Sequence, residues 1–190
     1  MYLKNSLILI LLIIISCQPV EILKPIEIDT SRFEKISINA EQIQVNNKYN
    51  SVFSKSNIED QIKKTPINLM AEWNSQNILK LGSENKLVIN ILDASIKKTE
   101  IMNIDAKKYE EKTIFKYEVF YLVEYELYDS SGFLIANTTV ETLRSTTSQK
   151  YISLNETEII INDLLILAMR DYINETKNQL SIYMGDYLSF

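Results

Sequence analysis

Phe115-Lys116-Tyr117-Glu118-Val119-Phe120-Tyr121-Leu122-Val123-Glu124-Tyr125-Glu126-Leu127 carries the clearest period in the chain. Its seven odd positions are all apolar or aromatic, while Lys116, Glu118, Glu124 and Glu126 take most of the even ones. A period of two is the period of a strand, so the stretch reads as one long strand with a buried face and a wet face, about 45 Å long at roughly 3.4 Å per residue. Phe120 and Leu122 interrupt the wet face. They leave a small apolar patch there, a candidate binding surface for a partner or a lipid. Asp129-Ser130-Ser131-Gly132 supplies turn chemistry, and Phe133 to Arg144 returns as the second arm of an antiparallel hairpin.

Downstream, Ser153 or Asn155 can cap a helix, with Glu156 or Glu158 three residues on in a capping-box pattern. Ile161, Leu164, Leu165, Ala168 and Tyr172 form an inner stripe, continued by Leu180, Tyr183 and Tyr187. From Glu156 to Met184 this helix would run about 44 Å at 1.5 Å per residue. That matches the hairpin, so the helix is expected to lie along the sheet.

Upstream, Leu87 to Ile96 is apolar on both sides for part of its length and reads as a central strand. Asp93 breaks the run: chiefly as a bulge or turn carboxylate capping a nearby N–H, alternatively as one of a catalytic pair of acids. Ile101 to Lys112 reads as a long charged connection. Thr65-Pro66 starts a first helix, with threonine as N-cap and proline at the first position, where its missing N–H is harmless. Ile67, Met70, Ala71, Asn74, Ile78 and Leu81 continue it, and Gly82 is expected to close it in the left-handed conformation. Trp73 lies just off this stripe, which places it at the rim of the sheet as a further candidate for the binding surface. Ile58 to Lys64 reads as a short turn of helix. Phe33 to Val45 reads as a first strand with a bulge near Glu41-Gln42, followed by a polar loop from Asn46 to Ser56. The fold class expected is α+β: a four-stranded, mostly antiparallel sheet with two helices packed on one face, in the order β-α-β-β-β-α.

The amino terminus decides location. Lys4 is a one-charge n-region, and Leu7 to Ile15 is an apolar run too short to span a bilayer. Ile14-Ile15-Ser16-Cys17 resembles the bacterial lipobox, and the resemblance implies that Cys17 is acylated and becomes the first residue of the mature chain. Residues 1–16 are then signal peptide. The next segment, to Arg32, with Pro19 and Pro25, is an extended tether reaching at most about 50 Å, and 33–190 is a single α+β domain. Acyl chains contribute about 0.8 kcal/mol per buried methylene, and more than one chain makes the attachment stable. In lipoproteins of this kind an aspartate after the cysteine commonly marks retention in the inner membrane. Gln18 stands there instead, which implies the outer membrane, facing the periplasm.

Composition narrows the chemistry. Loss of Lys4 with the signal makes the formal charge of −5 one unit more negative, a poor match for nucleic acid, whose phosphates are bound through lysine and arginine. The absence of histidine removes the usual general base and the commonest zinc ligand. One cysteine permits neither an internal disulfide nor a thiolate cluster, and three glycines offer no phosphate-cradling loop. No cofactor and no metal are expected.

The order of elements behind a lipidated cysteine resembles two families of Gram-negative envelope lipoproteins. The stretch Tyr117 to Gly132 and the terminal helix are similar to the lipopolysaccharide-assembly lipoprotein. The helix around Trp73 and the overall order are similar to the auxiliary lipoproteins of ABC-type lipid transporters. Pro66, Trp73, Gly82, Asp93-Ala94-Ser95 and Gly185-Asp186-Tyr187 also resemble uncharacterised proteobacterial lipoproteins over most of the mature chain. These likenesses imply a non-enzymatic adaptor or binding module, anchored to the membrane by acyl chains and meeting an envelope membrane protein or a lipid. A free-standing structural or lipid-binding lipoprotein is the alternative, and a hydrolase built on paired carboxylates a more distant one.

Overall fold

The computed structural model describes residues 28–51 and 54–189. Cys17, the signal peptide and most of the tether lie outside the described residues. Strands β1 (Ile36–Ile38) and β2 (Gln42–Asn47) precede helix α1 (Pro66–Asn77). Strands β3 (Ile78–Lys80), β4 (Lys86–Met102), β5 (Thr113–Tyr128) and β6 (Leu134–Gln149) follow, then helix α2 (Leu154–Tyr183) and a last short strand, β7 (Leu188–Ser189). The main sheet has the order β2-β4-β5-β6; β2 runs parallel to β4, and the other pairs are antiparallel. Both helices pack on one face, so the expected α+β architecture is the one found.

The alternation in β5 works as the sequence implies. Tyr117, Val119, Tyr121, Val123, Tyr125 and Leu127 are all buried, while the even positions are half-buried on the opposite face. Gly132 takes a φ of 83° in the hairpin turn, where Asp129 Oδ1 accepts from the N–H groups of Ser131 (2.9 Å) and Phe133 (2.9 Å). Ser153 caps α2, and its capping box with Glu156 satisfies N–H groups at both positions. The helix buries Ile161, Leu164, Leu165, Ala168, Tyr172 and Leu180, together with Met169, Ile173 and Thr176, whereas Tyr183 turns out to solvent.

Four expectations are corrected. The first strand is two strands in two sheets. The chain turns at Asn39–Glu41, where Ala40 N donates to Ile38 O (2.9 Å) and Glu41 N to Asn85 O (2.7 Å), and β1 pairs with β3 and β7 in a separate three-stranded sheet. Helix α1 stops at Asn77 because Ile78–Lys80 is drawn into parallel pairing with β1. Gly82 does not serve as a left-handed cap. It allows a close approach: a Cβ there would stand 2.7 Å from the backbone carbon of Asn39 and 2.8 Å from the nitrogen of Ala40. Finally, packing reaches back into the tether, since Ile28 and Thr30 are buried, with Thr30 Oγ1 donating to Glu72 (2.7 Å) and Lys64 Nζ to Ile28 O (2.8 Å).

A buried polar knot ties the two helices to the sheet. Tyr125 Oη donates to Asn74 Oδ1 (2.8 Å), Asn74 Nδ2 donates to Tyr172 Oη (3.1 Å) and to Met70 O (3.0 Å), and the two tyrosine hydroxyls bond to each other. Strand β5, α1 and α2 each contribute one side chain, so the geometry of this knot fixes how the helices sit on the sheet.

Candidate functional site

Trp73 is not a binding residue on the surface. It is fully buried, its ring meets the edge of Tyr172 at 5.6 Å and 80°, and its Nε1 donates to Glu34 O (3.1 Å). A large apolar ring whose one donor is satisfied by backbone is a core element. It anchors the segment before β1 to α1, and Asn77 Nδ2 adds a second bond, to Phe33 O (2.8 Å).

Phe120 and Leu122 do lie on the face of the main sheet opposite the helices, both half-buried. The register sets Leu143 of β6 beside Phe120 and Glu141 beside Leu122. Leu143 is 63% exposed, so the apolar patch is wider than the two residues read from β5. Polar side chains surround it. Asn46 Nδ2 donates to Asn90 Oδ1 (3.0 Å), Asn90 Nδ2 is shared between Glu124 Oε2 (3.1 Å) and Glu126 Oε2 (3.0 Å), and Lys116 pairs with Glu118 (2.7 Å). An apolar centre within a polar, mainly acidic surround is the usual composition of a surface that meets a partner.

Asp93 sits at a bulge in β4, where the register slips between Ile91 and Asp93, and it faces Leu122 across the pair. The expected bulge is found; the expected capping bond is not, since Asp93 Oδ1 is buried without a hydrogen-bond partner among the described residues. Among the described residues no hydrogen bond pairs it with another carboxylate.

A second place lies at the far end of the sandwich, on the helix side. Register puts Lys98 opposite Tyr117, in line with buried Ala94 and Ile96, so its ammonium stands on the core face of the sheet. Lys98 Nζ sits 3.9 Å above the Phe115 ring and 5.7 Å from that of Tyr117. It lines a cleft of about 460 Å³ together with Ile58, Ile62, Phe115, Tyr117 and Ile161. Lys63 and Lys150 also border this cleft, but they are paired with Glu158 (2.9 Å) and Glu100 (2.7 Å). Lys98 has no carboxylate within ion-pair distance among the described residues. Ending the second strand at Ile96 hides this residue in the sequence; continuing the alternation from Ile96 to Lys98 would have shown it. Two larger hollows, about 720 and 770 Å³, are open depressions lined mainly by charged and amide side chains.

Among the described residues no three potential metal ligands gather, and no helix is long and apolar enough to cross a membrane. No protein-family model and no curated protein matches the chain. Among solved structures, a minor lipoprotein from Acinetobacter baumannii is similar at 11% identity, with a TM-score of 0.39 over 80% of this chain and 98% of the other.

Proposed function

We propose that the protein is a lipid-anchored envelope lipoprotein, attached to the outer membrane through Cys17 and working in the periplasm as a non-enzymatic adaptor. Its open sheet face meets an envelope membrane protein, in envelope biogenesis or lipid transport. The observation that carries the adaptor reading is the patch of Phe120, Leu122 and Leu143 on a sheet face that neither helix covers. An apolar patch rimmed by charge is what an intermittent or membrane-bound partner covers. The anchor rests on the sequence around Cys17.

Co-purification of the carboxyl-terminally tagged full chain from gently solubilised envelopes tests this, with Leu143→Glu beside it. The expected result is enrichment of one envelope membrane protein by the wild type and its loss in the variant, with unchanged thermal unfolding. An equal yield of that protein with Leu143→Glu, or no specific envelope protein with either, removes the adaptor reading. Cys17→Ala is expected to leave a folded domain with no processed, acylated form; mass spectrometry of the membrane fraction checks this.

A further inference from the structure

We infer that the cleft under the amino-terminal turns of α2 binds a single acyl chain carrying an anionic head, with Lys98 holding the head. The inference rests on the binding-module reading and gives that module a ligand at a second place. Three observations converge on it. Lys98 occupies a position on the core face where Ala94 and Ile96 are buried, and among the described residues it has no anionic partner, whereas the neighbouring Lys63 and Lys150 each have one. An ammonium can donate three hydrogen bonds, and a ring face at 3.9 Å uses only part of that capacity. The cleft beside it is apolar over Ile58, Ile62, Tyr117 and Ile161, and its 460 Å³ falls in the range of small-ligand sites. A wholly apolar ligand would leave Lys98 unmatched, and a small hydrophilic anion would leave the apolar wall unmatched. A fatty acid or a lysophospholipid of acidic head matches both.

The test uses the full chain in phosphatidylcholine nanodiscs with three photoreactive probes: palmitate, lysophosphatidylglycerol and hexadecanol. Labelled residues are mapped by peptide mass spectrometry. The expected result is labelling of the peptides bearing Tyr117 and Ile161 by at least one anionic probe, falling about tenfold in Lys98→Met, as fits loss of one charge-assisted contact. Hexadecanol labelling should not respond. Lys98→Gln, which keeps a polar head, should behave like Lys98→Met and guards against a misfolded variant. Cleft labelling by palmitate assigns a free fatty acid, and labelling by lysophosphatidylglycerol alone assigns a membrane-derived head; both uphold the inference. Absence of cleft labelling by both anionic probes, or labelling indifferent to both substitutions, overturns it. Partner capture reads out separately, because Leu143 lies on the other side of the sheet. Cleft labelling without a captured partner removes the adaptor alone, and the converse removes this inference alone.

Discussion

Three buried tyrosines make the fold sensitive to alkali. Burial pushes the Tyr172 hydroxyl up to about 12, against the opposing effect of its bonds to Tyr125 and Asn74. Burial, reinforced by Tyr172 alongside, drives Tyr121 and Tyr125 well above the ordinary value of 10.0. The folded state therefore holds these protons more tightly than the unfolded chain does. Their contribution is whole below about pH 10 and is lost as pH rises towards the folded values. Each hydroxyl locked neutral removes about 1.4 kcal/mol of stability per pH unit above that point, so the three together remove about 4 kcal/mol per unit. A domain at the lower end of the usual range of about 5–15 kcal/mol should then unfold cooperatively between about pH 11 and 12. Urea titrations at stepped pH, followed by circular dichroism and tyrosinate absorbance, measure the slope. Tyr172→Phe should lower it by about a third. If all the tyrosines ionised near pH 10 with the dichroism intact to pH 12, the buried knot would not exist as described.

The same knot predicts that Asn74→Ala lowers stability by about 3 kcal/mol, since two buried hydroxyls lose their shared acceptor and a cavity opens. A double-mutant cycle with Tyr125→Phe should give a coupling above about 0.5 kcal/mol, and strict additivity would refute the contact. Gly82→Ala should cost about 1–3 kcal/mol by forcing apart the backbone at Asn39 and Ala40; an unchanged melting temperature would show that the approach is looser than described.

Legibility followed locality. The β5–β6 hairpin and α2 were readable because each carries its own period, turn or cap within a short window, as with Asp129, Gly132 and the Ser153–Glu156 box. Strand β3 was not, and β1, readable as strand, was not readable as separate from β2, because the small sheet exists only through distant pairing: Ile36 pairs with Ile78, far along the chain. Gly82 was readable as important but not for its reason, which is the distance to a segment met only in the fold. Trp73 shows the limit of helical stripes: a residue off the stripe of one helix is still in the core when a second helix lies beside it. Phe120 and Leu122 were visible within one strand, whereas Leu143, which completes their patch, needed the register between strands.

The cleft follows from unequal element lengths. Strand β4 has 17 residues, about 58 Å at roughly 3.4 Å each, while α1 has 12, about 18 Å at 1.5 Å each. A helix of that length lies along only about five residues of a strand, so the far half of β4 must find another cover. Part of it comes from the 54–62 segment, where Ile58 N donates to Ile96 O (3.2 Å) and Lys98 N to Ser56 O (2.7 Å). That segment pairs beside β4 and brings Ile58 and Ile62 over the sheet, but its helical part is a single 3-10 turn, Glu59–Gln61, far shorter than α1. The sandwich consequently thins beyond Ile96, and the residues on its core face change from Ala94 and Ile96 to Lys98 and Glu100. Glu100 is answered by Lys150 (2.7 Å), whereas Lys98 has no carboxylate partner among the described residues. Filling the thin end with apolar bulk would be the simplest way to stabilise the fold. If Lys98→Leu raised stability while abolishing labelling of the cleft by an anionic amphiphile, the unpaired lysine would be retained for its ligand at the expense of the core.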